Sequence, residues 1–213
     1  MELYGYFRSS AAYRVRIALN VKGIAYTSVP VHLTRGEQRT ERYRALNPSA
    51  LVPTLVDGDV VLGQSMAILE YLEETQPGPA LLPADAKGRA RVRAIAQSIA
   101  CDIHPLNNLR VLHYLKHELQ VDEEARNGWY RHWVAQGLSA IETMLTTHAE
   151  TGQYCHGDQP SFADACLIPQ VANARRFNCD LSSMPTIVRI DAQCALLPAF
   201  QQAAPDHQPD SEG

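Results

Sequence analysis

Two adjacent hydroxyl groups and a guanidinium lie at the point where the periodicity of the N-terminal sequence changes. Arg8, Ser9 and Ser10 follow residues 2–7, whose alternation of polar and apolar side chains predicts a half-buried strand. From Ala11 onward the apolar residues recur at helical spacing, so a strand runs into a helix. The first turn of a helix has unpaired amides and a positive dipole end, which attract anions. One serine is explained by helix capping, but the second hydroxyl and the arginine favour a site for a thiolate or carboxylate.

The composition indicates a small ligand rather than a macromolecular partner. The 213 residues suffice for one or two domains, and 19 basic against 23 acidic residues give a net charge of -4. Such a balance provides no basic field for a nucleic acid backbone. No apolar run approaches the length of about 20 residues that crosses a bilayer, and the first residues lack the pattern of a signal peptide. We therefore expect a cytoplasmic protein with no nucleic acid and no membrane partner.

The cysteines and histidines predict neither disulfides nor a metal site. The five cysteines are odd in number and are nowhere spaced C-x-x-C, which argues against a disulfide framework and a zinc cluster. We expect each of them to be reduced and to pack as a small hydrophobic side chain. His113 and His117 are four residues apart, but no third ligand accompanies them, so a solvent-facing helix is expected there.

The first part of the chain has the order of elements typical of a thioredoxin-like domain. Residues 26–31 predict a second strand, parallel to the first because a helix joins the two. Residues 34–44 are expected to form a mobile loop and a short helix. Asp57-Gly58-Asp59 between two apolar runs predicts a hairpin. A further helix follows Gln64-Ser65, with Glu73 and its acidic neighbours towards solvent, which completes a domain around a mixed four-stranded sheet.

The second part of the chain is predicted to be all-helical. The segment from Pro77 to Asp85 is rich in proline and lacks periodicity, which indicates a domain boundary. We assign residues 1–80 to a thioredoxin-like domain, 81–86 to a linker and 87–213 to an all-helical domain. Helices are predicted from residue 86 past residue 114, over 123–148, from 161 onward and over 185–197. Ser161 and Asp164 resemble a capping box, and the polar end from Gln201 is expected to fray.

Several segments, taken in order along the chain, resemble the zeta class of glutathione transferases. They are residues 7–19, Asn47-Pro48, residues 52–55, residues 64–68 and residues 171–177. The resemblance covers essentially the whole chain and is nearest to the bacterial glutathione-dependent maleylpyruvate isomerases. It implies the glutathione transferase fold, α/β plus all-α, with glutathione as the cofactor and a homodimer as the assembly.

The resemblance assigns roles to the hydroxyls at the start of the first helix. Ser9 would donate a hydrogen bond to the glutathione sulfur, and Ser10 would be its backup or the helix cap. Both would favour the thiolate over the thiol, whose ordinary pKa is about 8.5. The family usually has cysteine where this sequence has Ala11. Glutathione is therefore the only sulfur nucleophile that we expect.

Further glutathione contacts are implied on both domains. A cis-Pro53 would let the backbone of Val52 pair with the cysteinyl part of glutathione like an added strand. The other implied residues are Gln64 and Ser65 for the γ-glutamyl carboxylate, and Asp102, His104 and Asn108 on the helical domain. His104 is nearly as well explained by a structural hydrogen bond at the bend made by the following proline. A partner subunit could contribute in that region.

The implied reaction is a glutathione-dependent cis-trans isomerisation of a maleyl keto acid, maleylpyruvate to fumarylpyruvate, in the catabolism of aromatic compounds. Thiolate addition would make the double bond single, so that it turns before the thiolate leaves. Such a substrate carries at least two carboxylates, which bidentate arginine pairs would orient. Arg8, Arg110 and Arg176 are the candidates, although a solvated helix face is the commoner explanation of any one arginine.

The sequence leaves alternatives open. The substrate could be maleylacetoacetate, or the protein could be a general zeta-like glutathione transferase. A non-catalytic glutathione-fold binding protein is an alternative of another class, but it would not need Ser9, Arg8 and Arg176 together. A thiol-disulfide oxidoreductase is disfavoured by Ala11 and by the lack of C-x-x-C. A dehydrogenase or kinase is disfavoured because no dinucleotide-binding or Walker-type run occurs among the twelve glycines.

Overall fold

Four strands form one mixed sheet within residues 1–212, the residues that the computed structural model describes. They are β1 (Glu2–Gly5), β2 (Thr27–Pro30), β3 (Thr54–Asp57) and β4 (Val60–Gly63), in the spatial order β2-β1-β3-β4. β1 is parallel to β2 and antiparallel to β3. β3 and β4 form a hairpin whose turn contains Gly58 with a φ of 62°. The parallel first pair and the hairpin confirm the sequence predictions.

The described residues group into two compact units, which we call the first unit (residues 1–82 and the chain from Ala195 onward) and the second unit (residues 83–194). The first unit contains the sheet together with α1 (Ser10–Val21), α2 (Glu41–Leu46) and α3 (Ser65–Thr75). The predicted order of strands and helices is therefore confirmed. The predicted short helix is α2, and two 3₁₀ turns, Leu33–Arg35 and Glu37–Arg39, occupy the segment that was expected to be a loop.

Glu73 lies inside the first unit rather than towards solvent, where helical periodicity had placed it. Its carboxylate is 2.9 Å from the Lys22 ammonium, and the two side chains are only 9 % and 2 % exposed. The same carboxylate accepts the amide N–H groups of Leu81 at 3.0 Å and Leu82 at 3.2 Å. A buried carboxylate needs such partners to offset its lost hydration. The buried carboxylate of Glu73 thus binds both the end of α1 and the segment after α3.

The second unit is helical, as predicted, but its first long helix is interrupted. Its helices are α4 (Ala86–Gln97), α5 (Leu109–His117), α6 (Glu123–Thr146), α7 (Phe162–Arg176) and α8 (Pro185–Cys194). A π-helical turn (Ser98–Ile103) and a 3₁₀ turn (His104–Asn107) separate α4 from α5. The prediction of one continuous helix from residue 86 past residue 114 is therefore wrong, although the break includes the bend that was expected at Pro105. Pro105 lacks an amide hydrogen, and Asn108 caps the new helix by accepting from the Arg110 amide at 3.1 Å.

The predicted capping box at the start of α7 is confirmed. Asp164 is fully buried, and its carboxylate accepts the amide of Ser161 at 2.8 Å and the hydroxyl of Ser161 at 2.7 Å. It also accepts the amide of Cys155 at 2.8 Å, a contact that local sequence does not reveal. Burial raises the pKa of Asp164, and these donors oppose the rise by stabilising the carboxylate. The box therefore also fixes the loop that precedes α7.

The C-terminal end is ordered, contrary to the expected fraying. A short helix, α9 (Pro198–Ala203), and a 3₁₀ turn (Pro205–His207) follow α8. Phe200 is 2 % exposed and Ala203 is fully buried. These residues belong to the first unit, whereas the sequence assigned them to the helical domain. The difference arises because α9 packs on α1, a non-local contact that composition does not reveal.

The cysteines are free in the described part of the chain, but they are not all buried. Cys155, Cys166 and Cys194 are buried, as expected, and Cys179 is half-buried. Cys101 is exposed in the π-helical turn, so the expectation of burial is wrong for it. Among residues 1–212, none of the helices combines the length and the apolar character that a membrane crossing needs.

Candidate functional site

Three segments that carry predicted site residues leave the sheet at the same edge. Tyr4 of β1 is paired with Thr54 of β3, and Thr54 is paired with Gly63 of β4. The end of β1, the start of β3 and the end of β4 therefore lie side by side. Arg8, Ser9 and Ser10 follow β1, Val52 and Pro53 precede β3, and Gln64 and Ser65 follow β4. The topology thus brings together seven residues that are far apart in the sequence.

Ser9 caps α1 and closes the turn that joins it to β1. Its Oγ accepts the amide N–H of Ala12 at 3.2 Å, and its own amide donates to the Tyr6 carbonyl at 2.9 Å. The cap that the sequence offered to Ser10 therefore belongs to Ser9, and Ser10 is the first, buried residue of the helix. A hydroxyl that accepts one hydrogen bond still has its proton to donate. Ser9 can therefore cap the helix and donate to an anion at the same time.

Arg14 and Arg16, which the family resemblance included without a role, are both buried. They are 2 % and 3 % exposed. Arg14 Nη1 donates to Ser65 Oγ at 3.2 Å, which links α1 to the first residue of α3. A buried guanidinium beside a helix N-terminus reinforces the positive potential there. Helical periodicity does not distinguish these arginines from solvent-exposed ones, because the groups to which they donate hydrogen bonds lie on other elements.

The Val52–Pro53 peptide bond is cis, which confirms the expectation from the resemblance. Hydrogen bonds hold the segment before it. The Tyr43 hydroxyl donates to the Leu51 carbonyl at 2.7 Å, and Asn47 Nδ2 donates to the same carbonyl at 2.9 Å. Val52 also shares a hydrophobic cluster with Tyr43 and Phe7. The sequence singled out Asn47 as part of a motif but missed Tyr43 as an anchor of this loop.

Gln64 has a backbone conformation that is unusual for a residue other than glycine. Its φ is 64° and its ψ is 111°, immediately before α3. Such conformations are strained and cluster at ligand sites, where the surrounding structure over-determines them. Ser65 is 6 % exposed, and the first amides of α3 lack intrahelical partners. The arrangement suits a carboxylate at this helix start.

Gln38 is a further candidate that sequence reasoning missed. It lies in the Glu37–Arg39 turn and is 8 % exposed. Its Oε1 atom is buried and has no hydrogen-bond partner within residues 1–212. A buried acceptor of this kind is a candidate for pairing with a donor on a ligand. No sequence signal separated it from its polar neighbours.

The residues predicted on the second unit lie in the interruption before α5, in the first turn of α5 and at the end of α7. His104 and Asn108 are neighbours, with 3.3 Å between His104 Nε2 and Asn108 Nδ2, which agrees with both the structural and the binding explanation of His104. Asp102 is exposed in the π-helical turn, and Arg110 is exposed in the first turn of α5. Arg176 belongs to another element and is exposed at the end of α7.

Two stacked rings support Arg176. The Tyr130 and Phe177 rings are 3.6 Å apart and nearly parallel, at 11°. The Arg176 guanidinium lies 5.1 Å from the centre of the Phe177 ring, within the range of a cation-π contact. Burial raises the pKa of Tyr130 to about 12, and hydrogen bonding and charge from Arg176 oppose this rise. The guanidinium is therefore oriented by a ring face and a neutral phenol.

A metal site is not part of this arrangement. The His113 and His117 rings are 4.2 Å apart. Within the described residues, no group of three or more histidine, cysteine or acidic side chains could hold a metal ion. The features at the sheet edge instead fit a thiol peptide, because they offer a hydroxyl that can donate to a thiolate, a backbone segment leading into β3 and a carboxylate site.

Comparisons with known proteins agree with this fit. Residues 3–80 match the family model of the glutathione S-transferase N-terminal domain. A probable maleylacetoacetate isomerase of Vibrio cholerae is 53 % identical over 211 residues, covering 98 % of this chain and 97 % of the relative.

Two solved structures are also closely similar. The holo structure of a maleyl pyruvate isomerase, a bacterial glutathione S-transferase of the zeta class, has a TM-score of 0.98 at 50 % identity, with both chains fully covered. A maleylacetoacetate isomerase of Methylobacterium extorquens AM1, solved with bound malonate and glutathione, has a TM-score of 0.97 at 43 % identity, again over both full chains.

Proposed function

We propose that this chain, which belongs to the zeta class of glutathione transferases, isomerises maleylpyruvate to fumarylpyruvate with glutathione as cofactor. The observation that carries the proposal is the sheet edge where Ser9, the cis-Pro53 segment and Gln64-Ser65 converge. Each of the three offers one kind of contact that a thiol peptide needs. The relative solved with glutathione and a dicarboxylate supports the assignment.

The first unit would bind most of the cofactor. The Val52 backbone would pair with the cysteinyl part, and Gln64, Ser65 and the α3 amides would take the γ-glutamyl carboxylate. Buried Arg14 would strengthen that anion site through Ser65. We propose Asp102, His104 and Asn108 as further glutathione contacts, supplied in a cytoplasmic homodimer by one subunit or the other.

When bound, glutathione supplies a thiolate whose reversible addition turns the cis double bond into a single bond that can rotate. Ser9 would donate its hydroxyl proton to the sulfur, which favours the charged form and lowers the thiol pKa. Ser10 and the positive end of α1 would add to this effect. Ala11 provides no competing thiol.

Three arginines would hold the carboxylates of the substrate. Arg8 is exposed directly before Ser9, and its guanidinium lies 4.8 Å from the Phe7 ring. We propose that Arg8 stabilises negative charge that develops near the sulfur, and that Arg176, held by Tyr130 and Phe177, clamps a remote carboxylate. Arg110 is the third candidate for carboxylate binding.

The test is an absorbance assay of the cis substrate with and without glutathione. We expect turnover only with glutathione, whose concentration stays constant because each addition is followed by an elimination. S-methylglutathione is the matched control, since it keeps the peptide contacts but cannot form a thiolate. Undiminished turnover without glutathione, or the loss of one glutathione per product, would refute the proposal.

Maleylacetoacetate is the second candidate substrate, favoured by the high identity to the Vibrio cholerae relative. Both acids contain the maleyl group. They differ in the part of the molecule that links this group to the second carboxylate. The ratio of kcat/KM for the two substrates decides between them. A ratio near one would indicate a protein that accepts both.

A further inference from the structure

Both backbone polar groups of Phe7 are held by side chains, one from α1 and one from the C-terminal end of the chain. The Phe7 amide donates to Asp210 Oδ2 at 3.0 Å, and the Phe7 carbonyl accepts from Arg16 Nη2 at 3.0 Å. Phe7 is the second residue of the four-residue turn that ends at Ser9, which the Ser9 amide closes by donating to Tyr6. The orientation of this turn sets where the Ser9 hydroxyl points.

Asp210 belongs to a C-terminal segment that is fastened at several points. We call residues 205–212 the C-terminal strap. Near its start, the side-chain Nε2 of the buried residue Gln208 donates to the backbone carbonyls of Gln202 at 2.8 Å and Ala204 at 2.9 Å. At its end, Glu212 Oε1 lies 2.8 Å from His32 Nε2 and 3.4 Å from Arg35 Nη2. Asp210 therefore lies in an ordered segment that has side-chain contacts on both sides of it.

Arg16 connects the turn that contains Phe7 to α9, the helix before the strap. Its Nε donates to the Ala203 carbonyl of α9 at 2.8 Å, while Nη2 holds Phe7. Burial lowers the pKa of Arg16 to about 10, so the guanidinium stays charged at neutral pH. The oppositely charged side chains of Asp210 and Arg16 thus hold the N–H and the C=O of one residue, Phe7, which belong to two consecutive peptide units.

We propose that the C-terminal strap positions the thiolate turn, with Asp210 as a positioning residue that acts through the Phe7 amide on Ser9. The proposal rests on the function proposed above, in which Ser9 stabilises the glutathione thiolate. The family resemblance gave the end of the chain no role. A segment that only added stability would have no reason to affect the sulfur, and the test uses that difference.

The charge of Asp210 makes the sign of the effect decisive. Removing a carboxylate near the sulfur would by itself favour the thiolate and lower the thiol pKa. Losing the orientation of Ser9 would have the opposite effect and raise it. A higher thiol pKa in the variant therefore shows that Asp210 positions Ser9. A lower thiol pKa shows only the effect of the lost charge.

The experiment compares Asp210→Ala and Asp210→Asn with Asp206→Asn, an exposed acid of the same strap. The pKa of bound glutathione is measured by ultraviolet titration of the thiolate, glutathione affinity by calorimetry, and exchange of the Phe7 amide by hydrogen-deuterium methods. We expect the alanine variant to raise the thiol pKa by about half a unit to one unit. We also expect it to lower kcat by about 10-fold, since small misplacements cost up to about 100-fold.

The asparagine variant keeps a neutral hydrogen-bond acceptor, so its thiol pKa and its kcat should lie closer to those of the parent. The Phe7 amide should exchange faster in the alanine variant only. Asp206→Asn should match the parent. An unchanged or lowered thiol pKa in both Asp210 variants would overturn the proposal, whatever happens to the melting temperature. If Ser9→Ala also leaves the thiol pKa unchanged, the thiolate role of Ser9 fails as well, which separates the two failures.

Discussion

Replacing Ser9 by alanine tests the step on which the proposed chemistry depends. Ser9 is half-buried, and its Oγ already accepts from the Ala12 amide at 3.2 Å, so its proton is available for the sulfur. A hydrogen bond to a charged group contributes about 1.5–3 kcal/mol. At about 1.36 kcal/mol per pKa unit, its loss raises the thiol pKa by about one to two units.

The sign of the pH dependence follows from this shift. The hydrogen bond favours the thiolate, so the parent thiol pKa is lowered and the variant pKa is higher. Below the parent pKa the thiolate fraction of the variant is lower than that of the parent by about 10- to 100-fold, and this ratio falls towards one as the pH rises to the variant pKa. Above the variant pKa both enzymes have the thiolate, and their rates converge. We expect kcat at saturating glutathione to show a large loss at neutral pH and a small loss at alkaline pH.

Helix capping is a second role of Ser9, and the assay must distinguish its loss from the loss of the hydrogen bond to the sulfur. Removal of the cap destabilises the protein by about 1 kcal/mol, an effect that does not depend on the thiol. Ser9→Thr is the matched control, because threonine keeps both the cap and the donor. Circular dichroism verifies that each variant is folded at the assay temperature. A loss of equal size across the pH range would refute the thiolate role.

Three further predictions concern charged and aromatic groups. Arg8→Ala should lower kcat, and Arg176→Ala should mainly raise KM, with kcat/KM falling about 10- to 150-fold in each and glutathione binding unchanged; full activity in both would contradict the substrate assignment. Tyr130→Phe keeps the ring stack but removes the hydroxyl that faces Arg176, so KM should rise by about 3- to 10-fold, while Tyr114→Phe on an exposed surface should have no effect. Glu73→Ala leaves Lys22 buried without its partner and should reduce the free energy of unfolding in urea by about 3–5 kcal/mol, against about 0.5 kcal/mol or less for exposed Glu74→Ala.

Local sequence determined the elements that carry the site. The change of period after Phe7 places a strand before α1, Asp57-Gly58-Asp59 sets the hairpin, and Ser161 with Asp164 sets the start of α7. These signals are readable because each depends on residues a few positions apart, through side-chain alternation, positive φ and capping. The family resemblance added the predicted residue roles, and the cis bond at Pro53 agrees with its pattern.

Tertiary structure decided what distant partners make of the same residues. Arg14, Arg16 and Glu73 have helical spacings that also fit solvated faces, and they are buried because Ser65, Phe7 and Lys22 meet them there. The polar C-terminal end looked prone to fraying because its partners lie about 200 positions away in the chain, as the 203-residue separation of Asp210 from Phe7 shows. Periodicity reports only which side of an element is apolar, whereas the burial of a charge depends on a partner that the folded chain brings to it.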